Sequence, residues 1–513
     1  MTTSKALAWL ESRWAPAVCG VVAALLVFIT WGLTPGAFPL MHDEWAYWTQ
    51  AGQYARLHWS VPSPVIPEFF EQLYVLVTPV FAAKYWPGHA MTMTPGFLLG
   101  LPVLMPLALT AVTGGLVFAL ARRTAGTSVA ALTFVLWVST FGNLRFRATY
   151  FSELTTSCAW LVAWWALLRW RDTRRWRWMV VLALSTGWGA ITRPATMLLF
   201  AIPVGIIVIA DARRGARWKQ LALGVACGTA VLALLPFWSA RVTGDWRVTP
   251  LAVYTSQYLP FDIPGYTVNT TPPERALPAE LERVRGFLRD IKTGQATSPV
   301  TETFAERAGL LMRDAFEGWR APFLFAFFIG LVMGGPAAWF TIGTSLLLVV
   351  GYVTQAHTAD WSIYYLETYP AIAFVAALGV RTIWRRIPTM RDAVSARPAW
   401  AAALMGASAF IGVAIDTIKA RDTLGRIAAH SVLFRTGVAN LPKQPNIVFV
   451  RYAEPDRRNM HLSLVANDGD LERARSWIVH DRGADDLRLI SAASGRTPYL
   501  YDEARNIFYE MTR

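Results

Sequence analysis

Two adjacent carboxylates, Asp43 and Glu44, are the residues of this chain best placed to do chemistry. They follow His42 and come directly after an uncharged stretch, Ala15 to Thr34, about the 20 residues a helix needs to cross a bilayer. Carboxylates at the lip of a membrane span need a cationic partner, a metal or a reaction to serve. What they act on is therefore lipid-linked or presented at that surface. Neighbouring side chains on a helix project about 100° apart, so one of the pair is expected to be catalytic or metal-facing and the other structural. The alternative is an interfacial acidic pair holding an arginine. An amphipathic surface helix over Trp45–Tyr54 weighs against it.

Four further groups carry ionisable side chains where they are costly. Arg145, Arg147 and Glu153 flank the start of an apolar run at Leu154, where a Glu153–Arg147 ion pair tying two helices is the plain reading and a functional one is compatible with it. Lys84 and His89 lie in a Pro/Gly-kinked segment and are suited to a phosphate, or Lys84 simply snorkels outward. Arg193 precedes Pro194 at a span junction, and its fork suits a phosphate or pyrophosphate. His357, Tyr364 and Tyr365 belong to an aromatic-rich segment ending at Tyr369-Pro370, either a belt or a substrate pocket. Gly-rich phosphate loops are absent; Gly114-Gly115 and Gly334-Gly335 lie in apolar segments, where glycine permits close helix packing.

These groups must be positioned by membrane helices. Of 513 residues 54% are hydrophobic and only 16% charged, against about 25% charged in soluble domains. The mean hydropathy is +0.35, and 24 tryptophans supply interfacial anchors. The net charge of +14 sits in short gaps between apolar runs, a topology signal rather than a nucleic-acid footprint. Cys19, Cys158 and Cys227 lack metal or redox spacing. The N-terminal run reads as a retained signal-anchor.

Apolar windows predict a polytopic α-helical protein with about 11 spans, near 15–34, 97–121, 125–141, 154–168, 178–191, 194–211, 220–238, 321–334, 337–354, 364–380 and 399–416. Five basic clusters then share one face: Lys5 and Arg13; Arg122 and Arg123; Arg169 to Arg177; Arg213 to Lys219; and Arg381 to Arg391. That face is cytoplasmic by the positive-inside rule, which also places the N-terminus. The acidic and histidine residues fall on the other side, in outer loops at 35–96 and 239–320 and short ones near 142–153 and 355–363. The stretch 280–314, helical in composition, is expected on the membrane surface. Residues 1–418 thus form the membrane part and 419–513 a small extracytoplasmic α/β domain of the cell (inner) membrane protein. In that tail 446–451 reads as a strand, 470–478 as a helix, and 487–490 and 498–501 as short strands. The membrane part shows no internal repeat of the inverted-transporter kind.

In order and sidedness these motifs resemble the GT-C superfamily of polyprenyl-phosphate-dependent glycosyltransferases, in the branch of the protein O-mannosyltransferases and the bacterial lipid A aminoarabinose transferase. The match runs over about 15–380: Asp43-Glu44 after the first span, Pro87-Gly88-His89 before the second, Ser152-Glu153, Arg193-Pro194, and Tyr364 to Pro370. Tyr85-Trp86-Pro87-Gly88 stands where the aminoarabinose enzyme has Lys-Pro-Pro. The resemblance implies transfer of a sugar, with inversion, from a polyprenyl phosphate to a lipid, polysaccharide or protein acceptor. Asp43 is then the base, with Glu44 and Glu153 as further catalytic carboxylates. Lys84, His89, Arg147 and Arg193 attend the donor phosphate, and His357, Tyr364 and Tyr365 the substrate pocket. A divalent cation shared by Asp43 and Glu153 is compatible with this and not demanded by it. The competing classes are a flippase of a lipid-linked sugar, disfavoured by sparse mid-span charge, and a non-catalytic assembly protein acting through its tail.

Overall fold

The computed structural model describes residues 9–31, 38–215, 217–387, 398–453 and 463–512. Lys5, Arg391 and residues 32–34 of the first expected span lie outside them. Proline starts many of the helices: it stands at one of the first two positions of Ala15–Thr30, Pro87–Leu98, Pro194–Arg214, Pro322–Met333, Pro336–Tyr352 and Tyr369–Arg386. There its missing N–H costs nothing and its fixed φ already suits the helix. Several helices end on arginine, Arg122 and Arg123 after Leu104, Arg213 and Arg214 after Pro194, Arg385 and Arg386 after Tyr369. The charges used above to orient the chain therefore also complement the helix dipoles.

Each of the expected apolar segments is largely helical, and fewer have by themselves the length and apolar composition of a full crossing. Among the described residues four helices are long and apolar enough: Leu104–Ala125, Pro194–Arg214, Trp218–Thr243 and Ser362–Arg386. Two bent pairs raise the number to six: Thr127–Val138 with Phe141–Arg147, bent by 67°, and Pro322–Met333 with Pro336–Tyr352, bent by 111°. The shortfall from 11 has physical causes. Ala15–Thr30 and Trp176–Ala190 are only 16 and 15 residues long. Glu153–Thr173 opens on a polar turn and carries four tryptophans. The short first helix packs closely on Leu104–Ala125, because a Cβ on Gly114 or Gly115 would press into Ala23 or the Pro16 carbonyl.

Outside this bundle, residues 38–98 form the helix His42–Tyr54 and a three-stranded antiparallel sheet, β1 (Val61–Pro62), β2 (Val75–Leu76) and β3 (Val80–Ala83), ordered β1-β3-β2. The His42–Tyr54 helix is not the surface element expected: eleven of its 13 residues are buried. The 239–320 loop contributes the helices Pro250–Tyr258, Ala279–Thr297 and Val300–Phe316.

A single helix, Pro398–Ala439, runs 42 residues from the membrane part into the tail. Trp319 Nε1 and Arg320 hold its Asp416 at 3.0 and 2.5 Å, Lys419 pairs with Glu317, and the Arg435 guanidinium lies 4.3 Å above the Trp45 ring. It leads to a sheet of β4 (Asn446–Arg451), β5 (Ser476–His480), β6 (Thr497–Asp502) and β7 (Ile507–Glu510), ordered β5-β4-β6-β7 and parallel except for β7. The strands read at 446–451 and 498–501 are present. The helix expected over 470–478 is not: Ser476-Trp-Ile-Val-His480 alternates bulky and β-branched residues and pairs with β4 instead. The strand expected over 487–490 is the helix Asp486–Ala492, the crossover that two parallel strands require. Ile447, Phe449, Val479 and Leu489 share a core with Ala46, Phe69, Phe70 and Phe81, so the tail is seated on the 38–98 segment. Thr49 Oγ donates to the Asn467 carbonyl at 3.0 Å across that joint.

Candidate active site

The His42–Tyr54 helix is capped by its own Glu44. One carboxylate oxygen accepts from the Met41 N–H at 3.2 Å and the other from the Tyr150 N–H at 3.0 Å. Burial, opposed by those N–H donors, lifts this carboxyl to about 7. Asp43, one residue earlier, points another way and accepts from the Tyr85 hydroxyl. The two acids thus divide as expected of neighbours on a helix, with Glu44 spent on the backbone.

From Asp43 the site continues through aromatic rings into a buried ion pair. Tyr85 stacks on Tyr47 with centroids 4.5 Å apart, and the Tyr47 hydroxyl donates to Ser152 Oγ at 2.9 Å. Ser152 donates to Glu153 Oε2 at 3.2 Å, and Glu153 Oε1 accepts from Arg193 at 2.5 Å. Arg193 also donates to the Tyr352 hydroxyl at 2.8 Å and lies 5.4 Å from the centroid of Tyr364. Glu153 therefore pairs with Arg193 and not with Arg147. Asp43 is within electrostatic reach of Glu153, Lys84 and Tyr364.

Lys84 is buried rather than snorkelling. Its ammonium sits over Tyr74 at 4.1 Å, with Tyr254 and Tyr85 at 5.1 and 5.2 Å, and 3.7 Å from Asp262. Burial pulls its pKa below the usual lysine value, with Asp262 and Asp43 pulling back.

Three expected site residues have hydrogen-bond partners within the protein. His89 spends both ring nitrogens, at 2.8 Å each, on Thr155 Oγ and the Tyr150 carbonyl, and burial pushes it down to about 4. Arg147 is fully buried over Trp137 and donates to Asn143 and Ser157 inside the bundle. His357 bonds the Thr358 carbonyl and the Tyr365 hydroxyl while stacking on Tyr364; burial, then Arg307, lowers it to about 3. His357 and Tyr365 thus support Tyr364 from behind. Asp43 and Glu153 each accept from a protein donor, and among the described residues no group of three or more His, Cys, Asp or Glu side chains is placed to hold a metal ion.

Sequence reasoning missed Tyr85 as the partner of Asp43, and it missed Tyr47, Tyr352, Tyr74, Tyr254 and Asp262 altogether. Tyr85 adjoins Lys84, and Tyr352 closes an apolar run, which is the only local signal either carries. Asp262 and Tyr254 come from a loop remote in sequence.

A sequence profile of the dolichyl-phosphate-mannose-protein mannosyltransferase family matches residues 78–239. The stretch includes Lys84, Glu153 and Arg193. No curated protein sequence matches the chain. Among solved structures the fold is similar to ArnT from Cupriavidus metallidurans bound to undecaprenyl phosphate, with a TM-score of 0.54 at 13% identity, covering 96% of this chain and 94% of that one. The oligosaccharyltransferase AglB from Archaeoglobus fulgidus, in complex with an inhibitory peptide and a dolichol phosphate, aligns with a TM-score of 0.45 at 13% identity over 86% of this chain and 63% of that one. At such identity the likeness speaks for the fold alone. The profile match bears out the resemblance to this family over residues 78–239, and the ArnT-like fold agrees with the architecture that the resemblance implies.

Proposed function

We propose that this membrane glycosyltransferase transfers a sugar from a polyprenyl-phosphate donor to an acceptor hydroxyl at the outer face of the membrane, inverting the anomeric carbon, with Asp43 as the base. The observation that carries the reading is one tyrosine-lined site holding a carboxylate, Asp43, and two buried cations, Lys84 and Arg193. ArnT was solved with undecaprenyl phosphate, and a lipid phosphate is the donor proposed here.

In the transfer step the acceptor oxygen attacks C1 of the sugar and gives its proton to Asp43. The C1–O bond breaks, and its electron pair remains on the lipid phosphate. Lys84 holds that phosphate, and its three-ring cage keeps water from screening the charge. Arg193, kept in place by Glu153 and Tyr352, faces the growing charge with a preorganised donor fork. The Tyr85 hydroxyl orients Asp43 through Oδ1, and the proton is taken up on Oδ2. Tyr364 and Tyr74 offer faces for the sugar ring.

Purified protein incubated with radiolabelled polyprenyl-phosphate sugars and an envelope acceptor fraction should release labelled acceptor and polyprenyl phosphate. Tight binding of a nucleotide sugar with no binding of any lipid-phosphate sugar would overturn the reading.

A further inference from the structure

The Lys84 cage holds a carboxylate that the transfer step does not use. Asp262 lies on the turn Leu259–Gly265, where its N–H donates to the Leu259 carbonyl at 2.9 Å. The turn is pinned from behind: Lys292, 1% exposed, donates to the carbonyls of Ile263 and Gly265 at 2.7 and 2.5 Å, and the Gly265 N–H reaches the Thr354 carbonyl at 2.7 Å. The backbone is thus held while the Asp262 side chain, 44% exposed, faces Lys84 at 3.7 Å. Tyrosines 74, 85 and 254 flank the ammonium, and Asp262 is its ion-pair partner and far more exposed than the lysine itself.

The charge on the lipid phosphate changes during turnover. The donor is a phosphodiester with one negative charge. When the C1–O bond breaks, the electron pair stays on phosphate and the proton goes to Asp43, leaving a monoester that carries close to two charges at neutral pH. A fixed anion nearby costs the dianion about twice what it costs the monoanion.

We infer that Asp262 is a specificity-determining residue of the donor site, one that disfavours the spent lipid phosphate relative to the loaded donor and so speeds product release. The inference rests on Lys84 holding the donor phosphate.

The test compares the donor KM with the inhibition constant Ki of free polyprenyl phosphate, using the full-length protein in detergent. Asp262→Asn should lower Ki more than KM, shrinking the ratio Ki/KM roughly three- to tenfold. Asp262→Ser, read the same way, covers misfolding of the amide variant. Asp245→Asn, an exposed acid elsewhere in the same loop, should leave the ratio alone. An unchanged or larger ratio in the Asp262 variants, or an equal shift in Asp245→Asn, overturns the inference while leaving the glycosyltransferase reading intact. Absence of transfer from any polyprenyl-phosphate sugar in the unaltered protein overturns both.

Discussion

Replacing Arg193 by methionine tests whether its charge serves the fold, the donor or both. The side chain donates to Glu153 at 2.5 Å, Tyr352 at 2.8 Å, Ser152 at 3.2 Å and Thr196 at 3.4 Å. Methionine keeps the apolar body and removes every one of these. Glu153, only 4% exposed, would keep the Ser152 hydroxyl and a backbone N–H but no cation, and stranding a buried charge in this way costs about 3–5 kcal/mol. Adding Glu153→Gln removes the stranded charge, so the double variant should recover most of that loss. Thermal unfolding of the purified proteins in detergent measures both. If Arg193 also meets the donor phosphate, the refolded double variant still lacks a charge-assisted contact worth about 1.5–3 kcal/mol, and its donor KM rises roughly ten- to 150-fold. Its acceptor KM should move little. An Arg193→Met protein that melts with the unaltered one would refute the buried-pair argument. A double variant with an ordinary donor KM would reduce Arg193 to a structural role.

Asp43→Asn should fold normally and lose about 10²–10⁴ of the transfer rate, the usual loss for a general base; undiminished turnover would discard Asp43. Lys84→Met should raise the donor KM by one to two decades at near-constant acceptor KM, since a charged contact worth about 1.5–3 kcal/mol is lost. Glu44 predicts a pH effect: its carboxyl is lifted from 4.5 to about 7 in the folded protein, so the stability it contributes is full below 4.5 and falls as pH rises through that window. Melting temperatures at pH 5 and pH 7 should differ less in Glu44→Gln. A reporter active only in the cytoplasm, fused after Arg513, should be silent; a strong signal would place the tail on the opposite face.

What the sequence made legible was whatever depends on local pattern. Apolar runs, proline starts and arginine ends located the helices, and residues at span lips picked out Asp43, Glu153 and Arg193, which the fold then gathers. Depth and partnership were not legible. Lys84 reads as a snorkelling lysine until tyrosines from 74 and 254 enclose it, and Glu153 has an arginine six residues away that it does not use. His89 and His357 were marked for their chemistry, yet folding spends their nitrogens on backbone carbonyls and hydroxyls. The tail misled at 470–478 and 487–490, because short mixed segments take their conformation from neighbouring strands rather than from their own periodicity.

The helix Pro398–Ala439 has a consequence for how such a chain can change over time. Its 42 residues span about 63 Å, twice a bilayer core. Its near half is clamped at Asp416 and Lys419, its far half at Arg435 above Trp45. Between those clamps one inserted residue turns everything beyond it by about 100° and would carry Asn467 away from Thr49. The helix therefore behaves as a keyed driveshaft. Away from those clamps its exposed positions are free to vary, but its length is inherited as a phase, and insertions survive there only in whole turns that the 38–98 segment has lengthened to match.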